Sequence, residues 1–283
     1  MTVTPIYIPQ DVINSIVNEL YDDKQALSQC SLAAHIFCEP CQRHLYARID
    51  LDNNAEDGNR KLEETLTEYP HIQFYIRHLR LRLISRYGRV RDEGALPEIL
   101  HMLPRVRSFS LSHGITTGLL HFGTLSQPLK ASVFDLLQYG QLTRVELSHL
   151  QEFPIYYFSR CSQLRELSLS DVNPFHNDMY FEHNTELVPV SKPVPKTQLQ
   201  TLSLEMESNP SWSFVHPQTF HHIRSSIDLS HLTSINIGHL FVNEEIDECR
   251  KILESTKFLE DLTLTLDLSH GMTTTFKLTP SLT

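Results

Sequence analysis

The sequence predicts an α/β chain in two parts: an N-terminal three-helix module over residues 6–51, then an irregular repeat solenoid over residues 52–283 with a curved parallel sheet. Three observations carry this. A short apolar pattern recurs seven times beyond residue 75, helix-period apolar residues fall between several copies, and the first fifty residues carry helical stripes.

The repeated pattern is apolar-x-x-apolar-x-apolar. It reads Ile76-Leu79-Leu81, Val106-Phe109-Leu111, Leu142-Val145-Leu147, Leu164-Leu167-Leu169, Leu199-Leu202-Leu204, Leu232-Ile235-Ile237 and Leu259-Leu262-Leu264, with Tyr46-Ile49-Leu51 as an entry copy. The closing apolar-x-apolar step has period two, so it puts two side chains on one face of a short strand. A lone strand cannot bury that face, whereas stacked copies bury it together against their connections. Strands are therefore expected near 76–82, 106–112, 142–148, 164–170, 199–205, 232–238 and 259–265. Starts lie 22 to 36 residues apart, room for a right-handed crossover between parallel neighbours.

Between copies, Leu62, Leu66 and Tyr69 recur at helical spacing, and Val133, Phe134, Leu136 and Leu137 lie in an apolar run before the third copy. Asn243 is placed to cap a helix whose Ile246, Cys249 and Leu253 share a face. Residues 173–197, with Pro174, Pro189, Pro193 and Pro195, read as an inserted surface loop. Residues 208–228 read as a longer crossover around Trp212, and Thr273 to Leu278 as one last strand.

At the N-terminus, Ile8-Pro9-Gln10-Asp11 opens a helix, with proline at its start and Asp11 at the positive dipole end. Val12, Ile13, Ile16, Val17 and Leu20 form a broad apolar stripe. Asp22 and Asp23 suit the cap of a second helix carrying Leu27, Cys30 and Ala34, and Pro40 is expected to break or restart the helix that follows. So short a bundle builds little core and should lean on a partner, on the repeats, or on both.

The run Ile8-Pro9-x-x-Val12-Ile13-x-x-Ile16-x-x-x-Leu20, then Asp23, Leu27, Cys30-Ser31-Leu32 and Phe37, closing on His44 to Leu51, resembles the F-box. Joined to repeats that look like irregular leucine-rich repeats, it is similar to the large fungal families of F-box-like proteins. The resemblance implies docking on the Skp-type adaptor of cullin–RING ubiquitin ligases through Ile8, Pro9, Val12, Ile13, Ile16, Leu20, Leu27, Leu32 and Phe37, with the repeats holding a protein substrate. One departure is Ala33-Ala34-His35, where the family often has Val-Cys-Arg or Val-Cys-Lys.

The variable strand positions give the candidate substrate-binding face: His78, Arg80, Arg82, Ser108, Ser110, Arg144, Glu146, Glu166 and Ser168. Arg77, Arg80, Arg82, Arg86, Arg89 and Arg91 form a basic run, suited to acidic or phosphorylated segments but equally to a solvated strand edge. The formal charge of −10 argues against a nucleic-acid partner, and no apolar run suggests a membrane span. Five irregularly spaced cysteines and no signal-peptide pattern suggest the cytoplasm or nucleus. Cys38-x-x-Cys41-x-x-His44, near His35, lacks the second half of a zinc signature, so no metal or cofactor is expected. No GxSxG, HExxH or glycine-rich phosphate loop occurs, and no enzyme is expected. The reading is a substrate-recognition subunit of an SCF-type ubiquitin ligase. The alternative is a leucine-rich-repeat scaffold or ligand-binding protein whose helices only cap the solenoid.

Overall fold

The computed structural model describes residues 8–86, 89–90, 94–114, 118–174, 197–205, 217–240, 243–268 and 272–278. The chain opens with three helices: α1 (Gln10–Glu19), α2 (Lys24–Ala33) and α3 (His35–Leu45). Asp23 caps α2 by accepting the Ala26 N–H at 2.9 Å. Pro9 stands at the N-cap of α1, one place before the first helical turn. Pro40 does not break the chain as expected: it lies inside α3. The break falls at Ala34, whose extended backbone (φ −159°, ψ 145°) separates α2 from α3. Pro40 sits mid-helix and forfeits one interior hydrogen bond, yet α3 continues and sinks Cys41 into the module's interior. Ile13, Val17, Leu27 and Cys41 form that interior, a cluster separate from the main core, with Leu20, Cys30, Phe37 and Leu45 packed around it.

Beyond α3 the chain is mixed α/β. The strands are β1 (Arg48–Asp52), β2 (His78–Leu83), the short hairpin β3 (Ser85–Arg86) and β4 (Arg89–Val90), β5 (Ser108–His113), β6 (Leu120–His121), β7 (Arg144–Phe153) and β8 (Glu166–Pro174). They continue as β9 (Thr197–Gln198), β10 (Thr201–Glu205), β11 (Ile227–Asp228), β12 (Ser234–Leu240), β13 (Asp261–Leu268) and β14 (Met272–Leu278). One large sheet runs β1-β2-β5-β7-β8-β10-β12-β13-β14, with β6 attached to β7. Every pair from β1 to β13 is parallel and follows chain order; only β14 returns antiparallel.

The register matches the repeat. Ile49, Leu79, Phe109, Val145, Leu167, Leu202, Ile235 and Leu262 stand side by side, as do Leu51, Leu81, Leu111, Leu147, Leu169, Leu204, Ile237 and Leu264. The backbone repeats too. The Ala47 carbonyl accepts the N–H groups of both Arg77 and His78, and the same shared acceptor recurs at Arg77, Arg107, Thr143, Arg165, Gln200 and Thr233. Each pins the start of the next strand.

Connections form a second layer: α4 (Glu56–Glu68), α5 (Leu96–His101), α6 (Gln127–Tyr139), α7 (Pro217–Ser226) and α8 (Asn243–Ser255), with 3-10 turns at Pro70–Phe74, Phe122–Thr124 and Ile155–Arg160. α4 packs on α5, α5 on α6, and α7 on α8. One continuous core lies between this layer and the sheet, including the lead residues Ile76, Val106, Leu142, Leu164, Leu199 and Leu232. Of the segment expected as an inserted loop, residues 175–196 lie outside the described residues, as do Trp212 with the rest of 206–216, and Arg91. No helix among the described residues is long and apolar enough to cross a membrane.

Phe109 on β5 is fully buried in this core. Phe109→Ala should lower the unfolding free energy by roughly 3–5 kcal/mol, as measured by chemical denaturation. A loss below about 1 kcal/mol would contradict the burial of β5 in the main core.

Candidate interaction surfaces

The helical module divides its apolar residues between two directions. α1 turns Ile13 and Val17 fully inward, while Val12 and Ile16, one turn apart, remain 44% and 43% exposed. Ile8 and Pro9 are exposed ahead of the helix. Leu32 is 83% exposed at the end of α2, and Ile36 is exposed at the start of α3. Of the expected adaptor-binding residues, Ile8, Pro9, Val12, Ile16 and Leu32 therefore face outward. Leu20 and Phe37 are partly buried against the module's cluster. Ile13 and Leu27 have no exposed surface and hold the module together instead. Ile36 was missed, because a helix start at His35 is not visible in a run that ends in proline.

The second surface is the polar face of the sheet. Strand alternation turns the variable residues of each repeat away from the core, and parallel register sets them in rows. Arg48, His78, Ser108, Arg144 and Glu166 share one row; Asp50, Arg80, Ser110, Glu146 and Ser168 share the next. Ser108 and Ser110 are short, so they floor a groove of about 300 Å³ over β5. Arg48, Asp50, His78 and Arg80 wall one side, and Arg144 and Glu146 the other. Six of the nine candidate substrate-binding residues thus meet in one place. Arg82, Glu166 and Ser168 lie outside the groove lining. Arg48 and Asp50 were not singled out, although the entry copy Tyr46-Ile49-Leu51 exposes them by the same alternation.

The charges here are largely compensated. Asp52 Oδ2 accepts from both Nε and Nη2 of Arg82, at 3.0 and 2.7 Å. Arg80 lies 3.9 Å from Asp50. Arg144 binds Glu146 through Nε at 2.8 Å and reaches Glu166 at 3.2 Å. The arginine run is continuous in sequence, but β1 brings two carboxylates alongside it. At His78, burial and then the nearby Arg48 and Arg144 lower the imidazole pKa.

A third group of polar side chains sits where the strands end. His113 is buried, with Nδ1 3.0 Å from the Gly118 carbonyl. A carbonyl only accepts, so Nδ1 carries the proton and Nε2 is the acceptor. Ser85 donates to that Nε2 through Oγ–H at 2.9 Å and backbone N–H at 3.4 Å. One strand further, His149 Nδ1 lies 3.2 Å from Asp171 Oδ2, and both residues adopt positive φ, 57° and 50°. Neither is glycine; the backbone there is strained beside a half-buried His–Asp contact. Among the described residues, no three His, Cys, Asp or Glu side chains are grouped to hold a metal ion. His44 Nε2 pairs instead with Asn18 Oδ1 at 3.0 Å.

Burial lowers the His113 pKa from its ordinary value, and a protonated Nε2 would face the Ser85 N–H, which cannot reverse. The unfolded chain therefore takes up this proton first. The stabilising contribution of His113 is complete above about pH 6.5 and is lost as pH falls from there through the lower folded value. Thermal melts between pH 7.5 and 5 should show wild type losing stability across that window, and His113→Gln, though weaker at pH 7.5, losing less. Parallel curves for the two proteins would contradict this. Compared with known families and curated proteins, the chain matches no family model and no curated sequence.

Proposed function

We propose that this chain is the substrate-recognition subunit of an SCF-type cullin–RING ubiquitin ligase, with an F-box-like module on the Skp-type adaptor and a leucine-rich-repeat solenoid holding a protein target. The observation that supports this best is the apolar surface left open by the helical module: Ile8, Val12, Ile16, Leu32 and Ile36 are all at least 37% exposed. A set of helices serving only to cap a repeat array would spend its apolar residues on that array. Here the buried half of α1 serves the module's own cluster, and the other half faces outward.

In this reading the chain does no bond chemistry. It supplies proximity: one end is held by the adaptor, and the groove over β5 offers hydroxyl, guanidinium and carboxylate groups to a segment of the target. α3 joins the two ends, because the Arg43 guanidinium lies 5.8 Å over the Tyr75 ring, and β1 follows α3 directly. A target bound on the sheet is thereby tethered to the adaptor through one chain.

The test is co-purification with a Skp-type adaptor. Wild type should bind, and Val12→Asp with Ile16→Asp should weaken binding by more than about 30-fold, the loss expected of buried apolar anchors. Both positions are exposed, so the double variant should keep the wild-type melting temperature. Ile13→Asp is unsuitable because it would empty the module's core. Failure of the wild type to bind sinks the proposal.

A further inference from the structure

The edge of the sheet where strands begin carries charge that the polar face cancels. Arg48 opens β1, Arg77 and Arg107 stand immediately before β2 and β5, and Arg105 lies just upstream of Arg107. Hydrogen bonds hold these residues beside one another. The Arg77 carbonyl accepts the Arg107 N–H at 2.8 Å, and the Ala47 carbonyl, next to Arg48, accepts that of Arg77 at 2.9 Å. Arg77 Nη1 donates to the Arg105 carbonyl at 3.2 Å. Arg48, Arg105 and Arg107 are exposed, and Arg77 is half-buried.

The partners of these arginines are neutral. A carbonyl holds Arg77, and the Arg105 guanidinium lies 5.1 Å over the Phe74 ring. On the polar face, Arg80, Arg82 and Arg144 have carboxylates beside them. Among the described residues, no carboxylate pairs with Arg48, Arg77, Arg105 or Arg107. Burial, then Arg107 and Arg105, lower the Arg77 pKa, so its charge is disfavoured where it stands. A chain of formal charge −10 thus gathers guanidinium groups at one edge with no counter-charge. Neutral partners fix where they sit and leave the charge uncancelled, and an anion placed there would relieve the repulsion.

The geometry points to this edge as a binding site for an acidic peptide segment, a short run of Asp or Glu carried by a partner protein. The charges come from three successive strand starts, about 4.8 Å apart, and so form a line instead of one focus. Single carboxylates on successive residues of an extended chain, rising about 3.3 Å each, match a line better than one doubly charged phosphate does. Each guanidinium can grip a carboxylate through paired N–H donors. Phe74, itself exposed, adds an apolar face beside them. That the partner is a ubiquitination target rests on the ligase reading above; the acidic-segment site does not.

Fluorescence anisotropy of the full chain tests four labelled probes: a Gly/Ser peptide with a central run of Asp and Glu, its Asn/Gln counterpart, a neutral peptide with one phosphoserine, and a single-stranded oligonucleotide. The acidic peptide should bind, more weakly as salt rises, and its amide counterpart should not. Arg105→Gln with Arg107→Gln should weaken that binding by more than about tenfold with little change in melting temperature, since both side chains are exposed. Arg250→Gln with Lys251→Gln removes the same charge from α8, between β12 and β13, and should change affinity by less than about twofold. Equal losses in the two double variants reduce the effect to net charge and overturn the site. So does a wild type that ignores the acidic peptide, or that binds the phosphoserine peptide or the oligonucleotide more tightly. Adaptor co-purification is run alongside. Acidic-peptide binding without adaptor binding faults the ligase reading and leaves this site standing; adaptor binding without peptide binding overturns the site alone.

Discussion

A carbonyl just before or at the start of a strand accepts two N–H groups from the next strand, and this happens seven times, from Ala47 to Thr233. That shared acceptor, with the two apolar side chains that follow it, fixes where each strand begins relative to its neighbour. A slip of one residue would turn Leu79 and Leu81 outward and bring Arg80 into the core. Register is therefore held at one edge by hydrogen bonding and along the strand by burial. Connections between starts are then free to vary, since loop closure costs little more as a loop lengthens. The intervals of 22 to 36 residues are absorbed by α-helices in some connections and by a 3-10 turn in the β7–β8 connection.

The same register decides what the polar face can recognise. Because strands stack in parallel without offset, a residue on one meets the equivalent residue on the next. Arginines of β2 meet aspartates of β1, and Arg144 of β7 meets Glu166 of β8. The result is a groove over β5 with strong hydrogen-bonding groups and little net charge, floored by the short serines of that strand. A ligand on this face would be selected by shape and by matching donors to acceptors, because it would have to displace partners already in place. A purely electrostatic attraction would be screened and largely cancelled.

How much of this could be read from sequence follows from the range of the interactions. The strands were readable because their burial has period two and recurs, and Leu62 with Leu66 marked α4 by the same logic at helical period. The cap at Asp23 is a local interaction and was also readable. Pro40 was misread because the break falls at Ala34, and the packing of α3 on α2, which is not local in sequence, offsets the hydrogen bond a mid-helix proline forfeits. The stripe on α1 identified a helix but not which half faced inward, since Ile13 and Ile16 are equivalent in sequence and differ only through α2 and α3. Asp50 and Asp52 lie some thirty residues from their arginines, so the basic run looked uncompensated. His113, His149 and Asp171 stand two residues beyond the repeat's last leucine, outside the pattern being counted, and only the register brings the last two together.

The helical module and the sheet differ in what they can support alone. The main core is continuous through eight parallel strands, so a loss at one strand is shared with its neighbours. The module has four fully buried side chains to set against the ordering of three helices. Three aliphatic side chains and one cysteine are too small a core to hold three helices alone. It gains from α3, where Arg43 and Glu39 contact Tyr75. The outward-facing Val12 and Ile16 are the largest remaining reserve on α1, and covering them is the step that would bring the module's stability closer to that of the sheet. A partner on this surface would therefore be bound and would also complete a core that the chain leaves unfinished.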